Sequence, residues 1–512
     1  MRWILPPVLA LTVALSAGCA RLPSLAGRTP SIAYTDTVST ALGQAVAPLV
    51  AQHPGQSGVY GLVDARNAFT ARAVLAAAAQ RSLDVQYYIW RNDISGAVMF
   101  DALRAAAKRG VRVRLLLDDF GTSGIDDTLA LLHAQPNIEV RLFNPFAMRR
   151  LRLLGYLTEF SRLNRRMHNK SFTADNQVTI IGGRNIGDKY FDSAGKVLFA
   201  DLDVLAVGPA VQSVSDDFDR YWNSASAYPL NLVVQPVDAD SAAALQREEA
   251  ASADMPPARV YQVATRESTL MPALVSRSLP LEWAQTRLVS DDPAKALEDA
   301  PPDSGVEPQL RRLIGTPARQ FDLVAPYFVP GKAITEELSA LARDGVAVRV
   351  LTNALESTDV GAVHAGYAKW RKPLLEAGVK LYEMRRTWPL EDRTRRPGPL
   401  IDSSSSLHAK TFAVDGARMF IGSLNFDPRS AHLNTEMGFV IDSPEMARQL
   451  KATLDDGLIS RAYEVRLAAD GSLYWIEQKQ GVAIRHDSEP GTSFWRRLGV
   501  RVMSWLPIDS LL

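Results

Sequence analysis

MHNKSFTADNQVTIIGGRN, from Met167 to Asn185, returns 240 residues later as LHAKTFAVDGARMFIGSLN, from Leu407 to Asn425. The two stretches agree at seven of 19 aligned positions, and the identities fall on His, Lys, Phe, Asp, Ile, Gly and Asn. Each reads as a strand, a two-residue turn and a strand, because Asp175-Asn176 and Asp415-Gly416 are hairpin dipeptides between short apolar runs. Alternation along the first strand puts His168 with Lys170, and His408 with Lys410, on one face. The second strand closes on Gly182-Gly183 or Gly422-Ser423, small residues that admit a ligand or backbone, and Asn185 or Asn425 follows two residues on.

The surroundings of the two stretches repeat as well. LDVQYYIWRND from Leu83 is answered by FDLVAPYFVPGK from Phe321, ALRAAAKRGVRVRLLLDD from Ala102 by LSALARDGVAVRVLTN from Leu338, and IEVRLF from Ile138 by VKLYEM from Val379. The patterns predict helices over 69–80 and 101–108 and strands over 83–90, 111–119 and 138–143, with the doubly apolar run VRVRLLLDD buried on both faces. Alternation of this kind argues an α/β fold with a mixed sheet, built twice. About 450 residues beyond the N-terminus fit two lobes better than one domain. Lobe one is expected over 61–235 and lobe two over 311–512. The acidic, Ala- and Pro-rich segment 236–310 reads as the connection between them.

At the N-terminus, MRWILPPVLALTVALSAGC has one Arg, an apolar run and small residues before Cys19, the only cysteine. The run is short and broken at Pro6-Pro7, so 1–18 reads as a secretory signal rather than a membrane span. Leu15-Ser16-Ala17-Gly18-Cys19 resembles a bacterial lipoprotein signal, which would make Cys19 a lipidation site, although Ser16 stands where Leu, Val or Ile is preferred. The plainer alternative is an ordinary signal with Cys19 free or removed. Residues 19–60, rich in Ala, Ser, Thr and Gly, suit a tether. A lone cysteine permits no intramolecular disulfide.

The paired stretch resembles the signature of the phospholipase D superfamily: His-x-Lys, four residues, Asp, six residues, Gly-Gly or Gly-Ser, one residue, Asn. Both copies satisfy it without a gap. The resemblance implies that His168, Lys170 and Asp175 act with His408, Lys410 and Asp415, supported by Gly183, Ser423, Asn185 and Asn425, in two α/β lobes that meet across a pseudo-twofold axis. It further implies a phosphohistidine intermediate and ping-pong kinetics, with His168 as nucleophile and His408 as acid. The chemistry suits the residues: one neutral imidazole attacks phosphorus, a protonated one serves the departing alkoxide, and two ammonium groups offset charge on the non-bridging oxygens. In the family an acid shortly after each motif holds the catalytic His. FADLDVLAVG places Asp201 there in the first copy, with Asp203 two residues away, and TEMGFVI places Glu436 in the second.

GGRNIGDKYF and FADLDVLAVGPAV narrow the resemblance to the cardiolipin synthases, particularly their C-type group. That implies phosphatidyl transfer to phosphatidylglycerol in the bacterial envelope, with phosphatidylethanolamine as another candidate substrate and no cofactor or metal. Hydrolysis to phosphatidic acid, a nuclease and an inert scaffold are the alternatives. A formal net charge of +1 gives no global pull toward nucleic acid or anionic lipid, so any such attraction must be local. Gly-x-Ser-x-Gly, His-Glu-x-x-His and cysteine clusters are absent from the sequence, so triad and zinc chemistry lack support. RRLRLLGYLTEFSRLNRR, Arg149 to Arg166, mixes six arginines with Leu, Tyr and Phe, and FWRRLGVRVMSWLPIDSLL from Phe494 mixes Trp and Arg. Each reads either as a lipid-facing segment or as a helix docked on its lobe. His432 lies close to the second motif and is the one unrepeated histidine to follow.

Overall fold

The computed structural model describes residues 22–191, 199–253, 255–386, 406–457 and 461–505. The expected signal and Cys19 lie outside the described residues. Lobe one contains β1 (Ser57–Leu62), β2 (Ser82–Ile89), β3 (Arg112–Gly121), β4 (Ile138–Phe143), β5 (Ser171–Ala174) and β6 (Val178–Gly182). After the short β7 (Phe199–Ala200) come β8 (Asp203–Val207), β9 (Ala227–Pro229) and β10 (Glu282–Ala284). Lobe two begins with β11 (Thr286–Ser290), β12 (Gln320–Val324), β13 (Ala347–Asn353) and β14 (Lys380–Met384). The short β15 (Ser406–Leu407) leads to β16 (Thr411–Val414), β17 (Arg418–Gly422) and β18 (Met437–Ile441), and β19 (Ala462–Leu467), β20 (Leu473–Lys479) and β21 (Val482–His486) close the lobe.

The duplication is visible in strand order. One sheet runs β10-β1-β8-β6-β5-β2-β3-β4-β9 and the other β11-β18-β17-β16-β12-β13-β14-β19-β20-β21. The central six strands, β8-β6-β5-β2-β3-β4 and β18-β17-β16-β12-β13-β14, correspond one to one. In both, three parallel strands joined by helices adjoin an antiparallel motif hairpin. The hairpin turns have left-handed backbones at Asp175 and Asn176 (φ 52° and 50°) and at Asp415 and Gly416 (55° and 64°), as a tight two-residue turn between twisted strands requires.

Every residue of β6 and of β18 is buried. One side of β6 faces the helices of its own lobe, while Ile181 joins Val204, Met419, Ile421 and Phe439 in a core shared by both lobes. The two sheets therefore pack against each other across the pseudo-twofold axis, and the strands read as unbroken apolar runs.

Two boundary expectations are corrected. The tether expected over 19–60 is, from residue 22, part of lobe one: Arg28 donates to the carbonyls of Asn223, Ser224 and Ala227, and the helix Ala41–Gln52 buries Leu42, Ala45 and Val46 in the core. Its small residues allow close packing, which composition cannot tell from flexibility. The connection expected over 236–310 is likewise distributed between the lobes. Tyr261, on the helix Pro256–Arg266, packs against Phe69 at 4.1 Å and donates to the Phe191 carbonyl, β10 pairs with β1, and β11 pairs with β18. Asp238, Asp240, Glu298, Asp299 and Asp303 face outward, Asp291 is buried against Lys295, and a sparse apolar stripe carries the packing.

Candidate active site

Each motif histidine is built into place by the opposite lobe. The Thr435 carbonyl accepts from His168 N–H (2.9 Å), and the Ala200 carbonyl accepts from His408 N–H (2.8 Å). The pairing of β7 with β15 continues the second of these contacts. The residue following each accepting carbonyl is the acid that takes the imidazole. His168 Nδ1 donates to Glu436 Oε2 at 2.8 Å, and His408 Nδ1 donates to Asp201 Oδ2 at 2.5 Å. Acid and histidine are thus exchanged between lobes, a pairing the separate halves of the sequence do not display. An acid holds Nδ1 in both rings, so Nε2 is the candidate reacting atom, and in His408 it lies 3.3 Å from Lys410 Nζ.

The acids are seated differently. A side chain at Gly183 would bring Cβ within 2.1 Å of Asp201 Oδ1, so glycine there leaves room for the carboxylate. Its counterpart Ser423 donates instead to Glu436 Oε2 at 2.5 Å, and Ser430 donates to Oε1 at 2.7 Å. The Gly-Gly of one copy and the Gly-Ser of the other are matched to a short and a long acid. Asp203 turns away from the site to Arg72 (2.8 Å) and Arg184 (3.3 Å), so Asp201 is the acid that meets His408.

Lys170 Nζ donates to the His168 carbonyl at 2.5 Å and Lys410 Nζ to the His408 carbonyl at 2.6 Å, which folds both ammonium groups back toward the rings. All four side chains are buried. Burial lowers Lys170 to about 7 and Lys410 to about 8. Burial and the two lysines hold His168 well below its ordinary value. His408 is also lowered, by burial and Lys410, against the upward pull of Asp201. Burial alone would raise Asp201, but His408, Lys410 and Arg184 hold it low and ionised. Burial raises Glu436 despite Lys170 and its two serine donors. The two imidazoles therefore sit in unlike fields: His408 against a carboxylate, His168 against an acid pushed toward neutrality.

Asp175 and Asp415, expected among the catalytic residues, do not reach the site. Asp175 accepts from the backbone N–H groups of Gln80, Arg81 and Ser82, and Asp415 from those of Ala318, Arg319 and Gln320. Each ties its hairpin turn to the start of the neighbouring strand, β2 or β12. Placement at the turn, one strand length from the histidine, makes this unavoidable. Asn185 accepts from Ile89 N–H at 3.0 Å and donates to Tyr190 Oη at 3.1 Å, fixing a cavity wall. Asn425 is buried but lines a separate cavity under lobe two. His432 is exposed and its carbonyl accepts from Arg165.

A cavity of about 670 Å³ opens over the histidines, lined by Tyr88, Arg91, Ser123, Lys189, Tyr190, Tyr327 and Asp359 among others. The tyrosines were not legible beforehand. Tyr88 meets His168 edge-on at 5.0 Å, and Tyr190 meets His408 at 5.3 Å. Tyr327 donates to Asp359 at 2.8 Å. Tyr88 is the penultimate residue of β2, a largely buried strand in which an aromatic residue signals only packing.

Fold and site together define a duplicated two-lobe α/β protein with one composite centre of two histidines, two lysines and two exchanged acids. The model described as cardiolipin synthase, phospholipase D-like domain, matches residues 74–222 and 310–456. The chain is 49% identical over 471 residues to cardiolipin synthase C of Escherichia coli (strain K12), covering 92% of this chain and 99% of that one. It is 31% identical over 475 residues to an uncharacterized protein of Helicobacter pylori (strain J99), covering 92% of each. The crystal structure of phosphatidylserine synthase from Haemophilus influenzae shares the fold, with a TM-score of 0.58 over 92% of this chain and all of that one at 11% identity. The chain belongs to the cardiolipin synthase family of the phospholipase D superfamily.

Proposed function

We propose that the protein transfers a phosphatidyl group through a phosphohistidine to the free hydroxyl of phosphatidylglycerol, making cardiolipin. The observation that carries this reading is the exchanged pair of histidine and acid beneath one cavity, in a member of this family. Neutral His168 uses Nε2 to attack phosphorus while Lys170 and Lys410 face the non-bridging oxygens. The bond from phosphorus to the leaving alkoxide breaks, and the alkoxide takes a proton from His408, whose imidazolium Asp201 supports. In the second half His408 takes the proton of the acceptor hydroxyl, its oxygen attacks phosphorus, and the bond to His168 breaks. The unlike fields around the two rings support this division of roles, since paired titrating groups pushed apart serve as base and acid. Phosphatidylglycerol is the proposed acceptor and donor, with phosphatidylethanolamine as a second donor. The proposed location is the bacterial envelope, facing the periplasm through a lipid on Cys19.

Incubating the purified protein with phosphatidylglycerol vesicles, with and without phosphatidylethanolamine, tests the reading. Cardiolipin as main product is the expected result; phosphatidic acid alone under every mixture rejects transfer and leaves hydrolysis.

A further inference from the structure

The stretch from Arg149 to Arg166 is folded inside out. Five of its arginines are paired with carboxylates: Arg149 and Arg152 with Asp119 and Asp126, Arg162 with Glu159, Arg165 with Glu298, and Arg166, which also donates to the Asn144 carbonyl, with Asp118. What faces outward, on and beside the helix Arg152–Thr158, is Leu151, Leu153, Leu154, Leu157 and Phe160, with Leu153 78% and Leu157 77% exposed. Five large apolar side chains on one short segment exceed the scatter expected of a wetted surface. Two of the carboxylates that pair with the arginines, Asp118 and Asp119, lie near the end of β3, and the exposed Phe120 beside them stacks on Tyr88 of the cavity wall.

A second such surface belongs to lobe two. The helix Phe494–Ser504 buries only Val500, while Phe494, Trp495, Leu498, Val502 and the following Trp505 lie outward, the two tryptophans 75% and 76% exposed. At 3.6 residues per turn these five share one side of the helix. Among the described residues no carboxylate pairs with Arg496, Arg497 or Arg501, which flank that side. Arg496 donates to the Thr358 carbonyl, and Thr358 precedes Asp359, which lines the active-site cavity.

Both surfaces lie outside the carboxyl ends of the parallel strands, the edge from which the cavity draws its walls: residues following β2 and β3 in one lobe and β12 and β13 in the other. We propose that these two apolar surfaces, one on each lobe, form a single bilayer-docking face that seats the mouth of the active-site cavity on anionic phospholipid. Leucines and tryptophans enter the interfacial layer, and Arg496, Arg497 and Arg501 at its edge meet lipid phosphates. The proposal rests on the phosphatidyl-transfer reading for its choice of occupant: a diacyl substrate then passes from the layer into the cavity without crossing water. Among the described residues no helix is long and apolar enough to span the membrane, so this face lies on the layer.

Because Cys19 is the one cysteine of this sequence, Cys19→Ser supplies a background for single labels. An environment-sensitive fluorophore is placed by Leu157→Cys, by Trp505→Cys, or by Asp344→Cys at the opposite, amino-terminal edge of β13. Adding phosphatidylglycerol vesicles should blue-shift the first two labels and expose them to quenchers carried in the acyl layer, leaving the third unchanged. No shift at 157 and 505, or an equal shift at 344, overturns the proposal. A shift that follows protein concentration without vesicles also overturns it, in favour of a second copy on this face. In parallel, Leu157→Glu/Trp505→Glu should lose at least tenfold in turnover of vesicle lipid and stay within twofold on short-chain phospholipid dispersed as monomers; equal loss on both overturns the proposal. The labels report docking without turnover, so failure of transfer by the unsubstituted protein on dispersed lipid would count against the catalytic reading alone.

Discussion

Asp201→Asn separates the two histidines by role. Asp201 is buried and ionised, and it accepts the Nδ1 proton of His408 at 2.5 Å. An amide keeps an acceptor but loses the charge, and the difference between a charge-assisted and a neutral hydrogen bond is about 1–2 kcal/mol. That is roughly one pKa unit off an imidazolium already lowered by burial, so the protonated share of His408 falls roughly tenfold at a given pH. Turnover of a phosphodiester with an alkyl leaving group should fall about tenfold, short of the roughly 100- to 10,000-fold that losing a general acid outright costs. An aryl ester such as a nitrophenyl phosphodiester leaves without a proton, and first-step rates on it should stay near those of the unsubstituted enzyme. Glu436→Gln replaces an acid already pushed toward neutrality, so it should cost less than Asp201→Asn on the alkyl ester and should not be rescued by the aryl one. Single-turnover release of both leaving groups provides the assay, with thermal melts to confirm folding. Equal defects on alkyl and aryl esters in Asp201→Asn, or rescue of Glu436→Gln instead, would refute the assignment of His408 as acid.

Lys170 and Lys410 are lowered to about 7 and about 8 by burial, so kcat/KM for the free enzyme should decline as pH rises through that range, whereas kcat, with a phosphate bound between the ammonium groups, should decline only at higher pH. The same lowering means the folded chain binds fewer protons than the unfolded one between about 7 and the ordinary lysine value, so these groups make stability rise with pH across that window, measurable as urea midpoints. Asp175→Asn should destabilise by about 2–3 kcal/mol through its three backbone donors while folded protein keeps its turnover, a result that denaturation with activity per folded molecule would check. Gly183→Ala should drop turnover at least about a hundredfold by driving Asp201 off His408, whereas Ser423→Gly, which loses the bond to Glu436 and the one accepted from Met437 N–H but leaves Ser430 on Glu436, should cost less; steady-state kinetics distinguish them. Fatty-acid labelling should vanish in Cys19→Ser if that residue carries the proposed anchor.

The sequence by itself determined the duplication, the α/β class and the pairing of His168 with Lys170 and of His408 with Lys410 on one face each, because a strand fixes which side chains share a face and a motif repeated at equal spacing fixes two such faces. The family resemblance pointed to Asp201 and Glu436, and the motif hairpins and the core strands could be read at that level. Contacts between distant parts of the chain could not. Which acid serves which histidine, why one motif carries Gly183 and the other Ser423, and that Asp175 and Asp415 anchor strands instead of meeting the site all depend on packing across the pseudo-twofold axis. Composition misread residues 22–60 and 236–310 because small or acidic residues with a sparse apolar stripe become structure only when a lobe supplies the surface to bury them against. The direction of Arg149 to Arg166 was likewise open in the sequence. Only the tertiary structure brings Asp118, Asp119 and Asp126 beneath the arginines, and the ion pairs turn the leucines out.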